Sequence, residues 1–247
     1  MANSSLCPLC HQEDGGPHIA SGCQCTAMNG MYTERHNRGG RIILTGIYKG
    51  NLGGRIVSAD VGTKEKCEED KAPHIIATNP TVTLPPKQGC TEEEHSQHQA
   101  SMRKLRPDIV LATADTGTPS DRTIHIVEVK FCKDTDHKHQ LESSLNQHKT
   151  LVEALTDYGY DPLKIHVVPI LIGVSGTIYK EHTKQSLTKL GLSEGQVNKC
   201  ISRLHTLAVK SLHSIVTTRR QMQATLEGPG PAPMRRPYNT YRRRAPS

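Results

Sequence analysis

Apolar and polar positions change period several times along the chain, and each change predicts an element. Residues 106–113 (RPDIVLAT) and 123–131 (TIHIVEVKF) are short β-branched runs that predict two strands. The eight residues between Thr113 and Arg122, ADTGTPSD, contain Gly117 and Pro119 and predict a hairpin loop. Downstream, Leu141, Leu145, His148, Leu151, Val152 and Leu155 recur near helical spacing, so a helix is predicted over 137–158, ended by Gly159. Residues 164–174 (KIHVVPILIGV) are nearly all apolar, as in a strand buried on both faces, although Pro169 favours an edge or a bulge. A last helix starts after Ser193, with Gln196 placed for a capping box, and keeps one apolar face from Val197 to about residue 218.

Upstream the pattern is less regular. Residues 31–37 suit a short helix, 41–48 and 55–61 read as strands, and 92–104 can be helical. The stretch 62–91 is polar and carries Pro73, Pro80, Pro85 and Pro86, which suits an irregular connection. The expected organisation is therefore a first unit over 1–61, a connection over 62–91, an α/β (α+β) unit over 92–222 and a tail from 228.

Composition narrows the picture. Apolar residues are 34% of the chain and aromatics 3%, with no Trp and one Phe, so the core must be built from Ile, Leu and Val. The net charge is +7, but residues 228–247 hold Arg235, Arg236, Arg242, Arg243 and Arg244 with no acid, so most of the charge belongs to a Pro- and Arg-rich tail expected to be disordered. No apolar run reaches membrane-spanning length, and the first residues lack a signal-peptide core, so an intracellular, nuclear protein is expected.

Two constellations carry chemistry. Strand alternation puts Glu128 and Lys130 on one face and Val127, Val129 and Phe131 on the other, and the hairpin brings Asp108 alongside. Two carboxylates and an ammonium at one end of a hairpin suit phosphodiester hydrolysis, with Asp108 and Glu128 holding Mg²⁺ (or Mn²⁺) and Lys130 serving the attacking water or the charge at phosphorus. A solvated strand face with a cross-strand ion pair is the plainer reading of the same spacing. Separately, Cys7, Cys10, His18 and Cys23 have the spacing C-x2-C-x7-H-x4-C of a closed structural zinc site, with Cys25 an alternative to His18. His137 and His139 are two apart on a helix and do not share a face, so no second metal site is read there.

Pro107-Asp108 with Glu128-Val129-Lys130 resembles the PD-(D/E)xK nuclease superfamily, which implies a restriction-endonuclease-like core of helix, three-stranded meander, helix and strand, read here between Glu92 and Val174. The resemblance also implies an acid on the first helix, with Glu92, Glu93 or Glu94 as candidates, and a polar residue on the second, Gln147 or Lys149. The zinc knuckle, then Arg35-His36-Asn37, then Arg106-Pro107-Asp108 is similar to the C-terminal part of site-specific non-LTR retrotransposon proteins. That likeness implies a nuclease that nicks target DNA, with DNA and element RNA as partners. Those proteins carry a reverse transcriptase before the knuckle, whereas Met1 here lies six residues before Cys7, so the expectation is a fragment, a degenerate copy or a split-off protein confined to cleavage or binding. A noncatalytic nucleic-acid-binding protein on the same scaffold is the competing expectation, and Arg35, His36 and Asn37 could either touch nucleic acid or brace the knuckle.

Deleting residues 228–247 is expected to weaken DNA binding and to flatten its dependence on salt, because Arg contacts to phosphate release counterions. Titrations of the full and truncated chains at several salt concentrations check this, and superimposable slopes would remove the tail from DNA binding.

Overall fold

The computed structural model describes residues 6–62, 89, 91–94, 96, 97, 106–113 and 118–227. It is a mixed α/β arrangement around a four-stranded sheet. Helix α1 (Thr26–Tyr48) is followed by strands β1 (Ile56–Ala59), β2 (Ile109–Ala112) and β3 (Ile124–Cys132). Helices α2 (His137–Gln147) and α3 (Lys149–Asp157) lead to β4 (Ile165–Gly173), and α4 (Lys180–Lys189) and α5 (Glu194–Glu227) close the order. The sheet runs β1-β2-β3-β4, antiparallel for the first two pairings and parallel between β3 and β4.

The two faces of β3 divide the core. Val127 and Val129 pack with Ile43, Leu44 and Ile47 of α1 and with Val197, Cys200 and Leu204 of α5. Ile124 and Ile126 pack on the opposite side with Leu151, Ala154 and Leu155 of α3. This alternation follows from the two-residue period of a strand. Strand β4 lies at the sheet edge, where the buried Pro169 costs no ladder hydrogen bond on its unpaired side, and its carbonyl accepts from His182 Nε2 at 2.9 Å.

Residues 41–48, read as a strand, form the second half of the single 23-residue helix α1. Ile43, Leu44 and Ile47 are spaced for one helical face and are fully or nearly fully buried against the sheet, so tertiary packing overrides the strand preference of the β-branched isoleucines. The expected first unit over 1–61 is corrected with it. Helix α1 and β1 belong to the same core as β2 to β4, because β1 pairs with β2 and Arg41 Nη1 donates to Val61 O at 2.9 Å. The helix expected over 137–158 is two helices broken at His148, whose φ of −101° and ψ of 7° leave the helical range. The final helix extends beyond the predicted face to Glu227 and spans about 50 Å at 1.5 Å per residue. Its start is tied to α1: Ser193 N–H donates to Gln196 Oε1 at 2.8 Å, and Gln196 Nε2 donates to Lys49 O at 2.7 Å.

Of the helix expected over 92–104, Glu92, Glu93 and Glu94 are helical and exposed, and 98–104 lies outside the described residues. Most of the 62–91 connection and the whole 228–247 tail also lie outside them. No helix among the described residues is long and apolar enough to cross a membrane.

Gly40 shows how closely α1 approaches the chain just after β1. A Cβ there would overlap Val61 Cγ1 and stand 3.0 Å from Val61 Cβ. Gly40→Ala should therefore lose stability by about 1–3 kcal/mol from overpacking, less up to about 1 kcal/mol regained as helix propensity. Urea unfolding would show it as a lower midpoint at unchanged slope, and an unchanged or higher midpoint would mean that Val61 gives way freely.

Candidate active site and metal centre

The β2–β3 register pairs Ile109 with Val127. Continued by one residue, it sets Asp108 beside Glu128, although Asp108 N–H donates to Val127 O at 3.1 Å and the ladder is irregular there. The β1–β2 register pairs Ala59 with Ile109, so its continuation sets Asp60 opposite Asp108. Asp60 N–H donates to Asp108 O at 2.8 Å, as that continuation requires. Three acids thus take neighbouring positions across the sheet, Asp60 just past β1, Asp108 just before β2 and Glu128 midway along β3, although their oxygens do not all lie within 4.8 Å of one another. Asp60 was not singled out from sequence, because its partners come from strands about fifty and seventy residues away.

Asp108 and Glu128 are buried, at 7% and 6% exposure, and Lys130 is half-buried. Asp108 Oδ2 accepts from Val129 N–H at 2.6 Å, and its Oδ1 lies 2.9 Å from His36 Nε2. Burial pushes the Asp108 carboxyl above its ordinary range, against the pull of His36. His36 is raised in turn, chiefly by its bond to Asp108, and the charges of Glu128 and Asp60 act in the same direction. Glu128 is held from the other layer, at the break between α2 and α3. Gln147 Nε2 donates to its Oε1 at 3.2 Å, and His148 Nε2 lies 2.9 Å from its Oε2. Each carboxylate is therefore clasped by a histidine, one from each side of the sheet.

An open cleft of about 310 Å³ reaches Glu128, lined by Tyr32, Arg35, His36, Glu128, Lys130 and Phe131 together with Ser21 and Val129. Of the two second-helix candidates, Gln147 meets Glu128, whereas Lys149 is exposed and lies 3.8 Å from Glu153. The first-helix acids Glu92, Glu93 and Glu94 are exposed, and Glu94 Oε2 accepts from the Thr91 N–H and hydroxyl. The helix that packs beside Asp108 is α1, and the residue it offers is His36. Arg35 takes a bracing role, donating through Nη1 to Ala20 O at 3.0 Å. His137 stacks on Tyr179 and His139 is exposed beside Asp136, so the two do not form a site together.

The Cys7, Cys10, His18 and Cys23 donor atoms lie within 4.8 Å of one another, and no other group of three or more such residues converges this way among the described residues. Cys7 Sγ is 3.9 Å from Cys23 Sγ, Cys23 Sγ is 3.7 Å from Cys10 Sγ, and Cys10 Sγ is 3.3 Å from His18 Nε2. Three thiols and an imidazole at these separations could hold a zinc ion with no open position. Between the two candidates for the fourth ligand, His18 is the one brought in, while Cys25 sits at the N-terminus of α1. Burial opposes ionisation of Cys7, but N–H groups of Leu9 and Cys10, His18 and Arg219 outweigh it and bring the thiol down to about 6. Cys23 is pushed up to about 12 by burial.

Arg219, on the extension of α5 beyond its predicted apolar face, lies 3.6 Å from Cys7 Sγ through Nη2 and pairs with Asp14. Sequence spacing carried no signal for it, since it lies more than two hundred residues from Cys7. Met28 of α1 and Ile215 of α5 pack with Cys7 and Cys23, so the cluster is seated on both helices.

The chain matches no protein-family model and no curated protein.

The purified protein is expected to carry one zinc per chain, lost in Cys7→Ser, Cys10→Ser and His18→Ala and kept in Cys25→Ser. Metal analysis checks this, and zinc retained after His18→Ala would return Cys25 to the ligand set.

Proposed function

We propose that this chain is a metal-dependent DNA endonuclease of the restriction-like kind, descended from a non-LTR retrotransposon, that nicks DNA by phosphodiester hydrolysis to a 5′-phosphate and a 3′-hydroxyl. The observation that carries the reading is the acid row Asp60, Asp108 and Glu128, with Lys130 two residues beyond Glu128 on the same strand face. Like charges on adjacent strands repel, and a cation held by Asp108 and Glu128 would relieve that cost. The element order also supports it. A helix, three antiparallel strands, helices and a strand parallel to the third form the order expected of a restriction-like core, with α1 rather than 92–104 as the first helix.

The carboxylate oxygens of Asp108 and Glu128 are hard donors of the kind Mg²⁺ or Mn²⁺ takes. Such an ion would supply charge against the phosphate and lower the pKa of a bound water. The residues of the chain do the rest. The Val129 N–H and His36 fix both oxygens of Asp108, and Gln147 and His148 fix those of Glu128, which keeps the pair from turning toward bulk solvent. Lys130 lines the cleft and would orient the attacking water or stabilise charge growing at phosphorus. The zinc cluster is structural and adds no open ligand position.

A second reading is a noncatalytic nucleic-acid-binding protein on the same scaffold. It is favoured by the two histidines, which already satisfy the carboxylates.

With Mg²⁺ and supercoiled plasmid, the wild-type chain should produce nicked circles, and Asp108→Ala and Lys130→Ala, at matched folding, should lower the rate by about a hundredfold or more. Equal nicking by all three would end the assignment of these residues. Plasmid binding without nicking, unaltered by Asp108→Ala, would select the second reading.

A further inference from the structure

The cleft and the zinc cluster share a wall. The five-residue turn His18–Gly22 runs between two of the zinc ligands, His18 and Cys23. Ser21 of that turn lines the cleft beside Glu128 and Lys130. Two residues of α1 hold the turn by its carbonyls. Tyr32 Oη donates to Ile19 O at 2.8 Å, and Arg35 Nη1 donates to Ala20 O at 3.0 Å.

Arg35 is 3% exposed, and its guanidinium stands 4.8 Å from the centre of the Phe131 ring and 5.6 Å from that of Tyr32. Burial lowers its pKa to about 10, so it remains a cation at neutral pH. A buried cation held by a carbonyl and two ring faces, with its Nε left without a hydrogen-bond partner, has few other places to go. The position of the turn, the guanidinium and Phe131 are thereby fixed together. Phe131 follows Lys130 on β3, and His36 follows Arg35 on α1 and reaches Asp108.

We propose that zinc binding sets the shape of the catalytic cleft, with Tyr32 and Arg35 as positioning residues that carry the placement of the His18–Gly22 turn to Phe131 and Lys130. This rests on the nuclease reading only for the word catalytic. The zinc module is then part of the active cleft rather than a separate DNA-gripping appendage. The plainer alternative is that zinc only keeps the first 25 residues folded, while the apolar seat around Met28 and Ile215 holds the turn with or without metal.

Phe131 is the only Phe in the chain, so ring-labelled phenylalanine gives one NMR signal from inside the cleft. Methyl signals of Leu151 and Leu155, buried on the opposite sheet face, report whether the rest of the fold persists. Removing zinc from the full chain should shift the Phe131 signal while Leu151 and Leu155 stay, and adding zinc back should restore it. Tyr32→Phe removes the hydroxyl that meets Ile19 O at 2.8 Å and His18 O at 3.4 Å, and should shift the same signal with zinc fully bound, a change that added zinc does not reverse. In the plasmid assay both perturbations should lower kcat, by up to about a hundredfold, more than they raise KM.

A Phe131 signal unmoved by zinc removal, with zinc loss confirmed, overturns the proposal. If zinc removal unfolds the whole chain, so that Leu151 and Leu155 shift too, Tyr32→Phe decides alone, and an unmoved Phe131 in that variant overturns it equally. Failure of the wild-type chain to nick DNA would strike the nuclease reading, while the NMR result would still stand for or against the coupling of zinc to the cleft.

Discussion

The close seat of α1 on the sheet is the contact on which both centres depend. Gly39 and Gly40 bring the helix backbone so near that an added Cβ would meet Phe131 at one position and Val61 at the other. That approach lets Ile43, Leu44 and Ile47 bury against Val127 and Val129 along the second half of the helix. In the first half it sets Tyr32, Arg35 and His36 over the end of the sheet, where hydrogen bonds rather than apolar area decide the fit. A helix held a side chain further away would leave His36 out of reach of Asp108.

The second structural device is the division of labour between sheet faces. Asp108, at the start of β2, and Glu128, midway along the neighbouring β3, are each met by a histidine from a different layer. His148 reaches Glu128 because the helical run after β3 breaks at that residue. The break would be a defect in a helix whose only task was packing. In this fold it delivers two hydrogen-bonding side chains, Gln147 and His148, to one carboxylate.

The long α5 joins these parts from behind. Its first half closes the core under the sheet, and its second half lies beneath the cysteine cluster with Ile215 and Arg219. Arg219 meets Cys7 and Asp14, so residues at opposite ends of the chain share one buried cation. The cluster is accordingly embedded in the main fold, with α1 on one side and α5 on the other.

Local pattern by itself determined the β2–β3 hairpin, the alternation that separates Glu128 and Lys130 from Val127 and Val129, strand β4 and the cysteines Cys7, Cys10 and Cys23. Each of these is written in spacings of a few residues, which strand period and ligand geometry translate directly, while the choice of His18 over Cys25 came from the fold. Helix α1 was legible only in part, because its β-branched second half is helical for reasons that lie in the sheet it covers. The roles of Asp60, His36, His148, Arg35 and Arg219 were decided by tertiary structure. Their partners are distant in sequence or come from another layer, and a hydrogen bond between remote segments leaves no periodic trace along the chain.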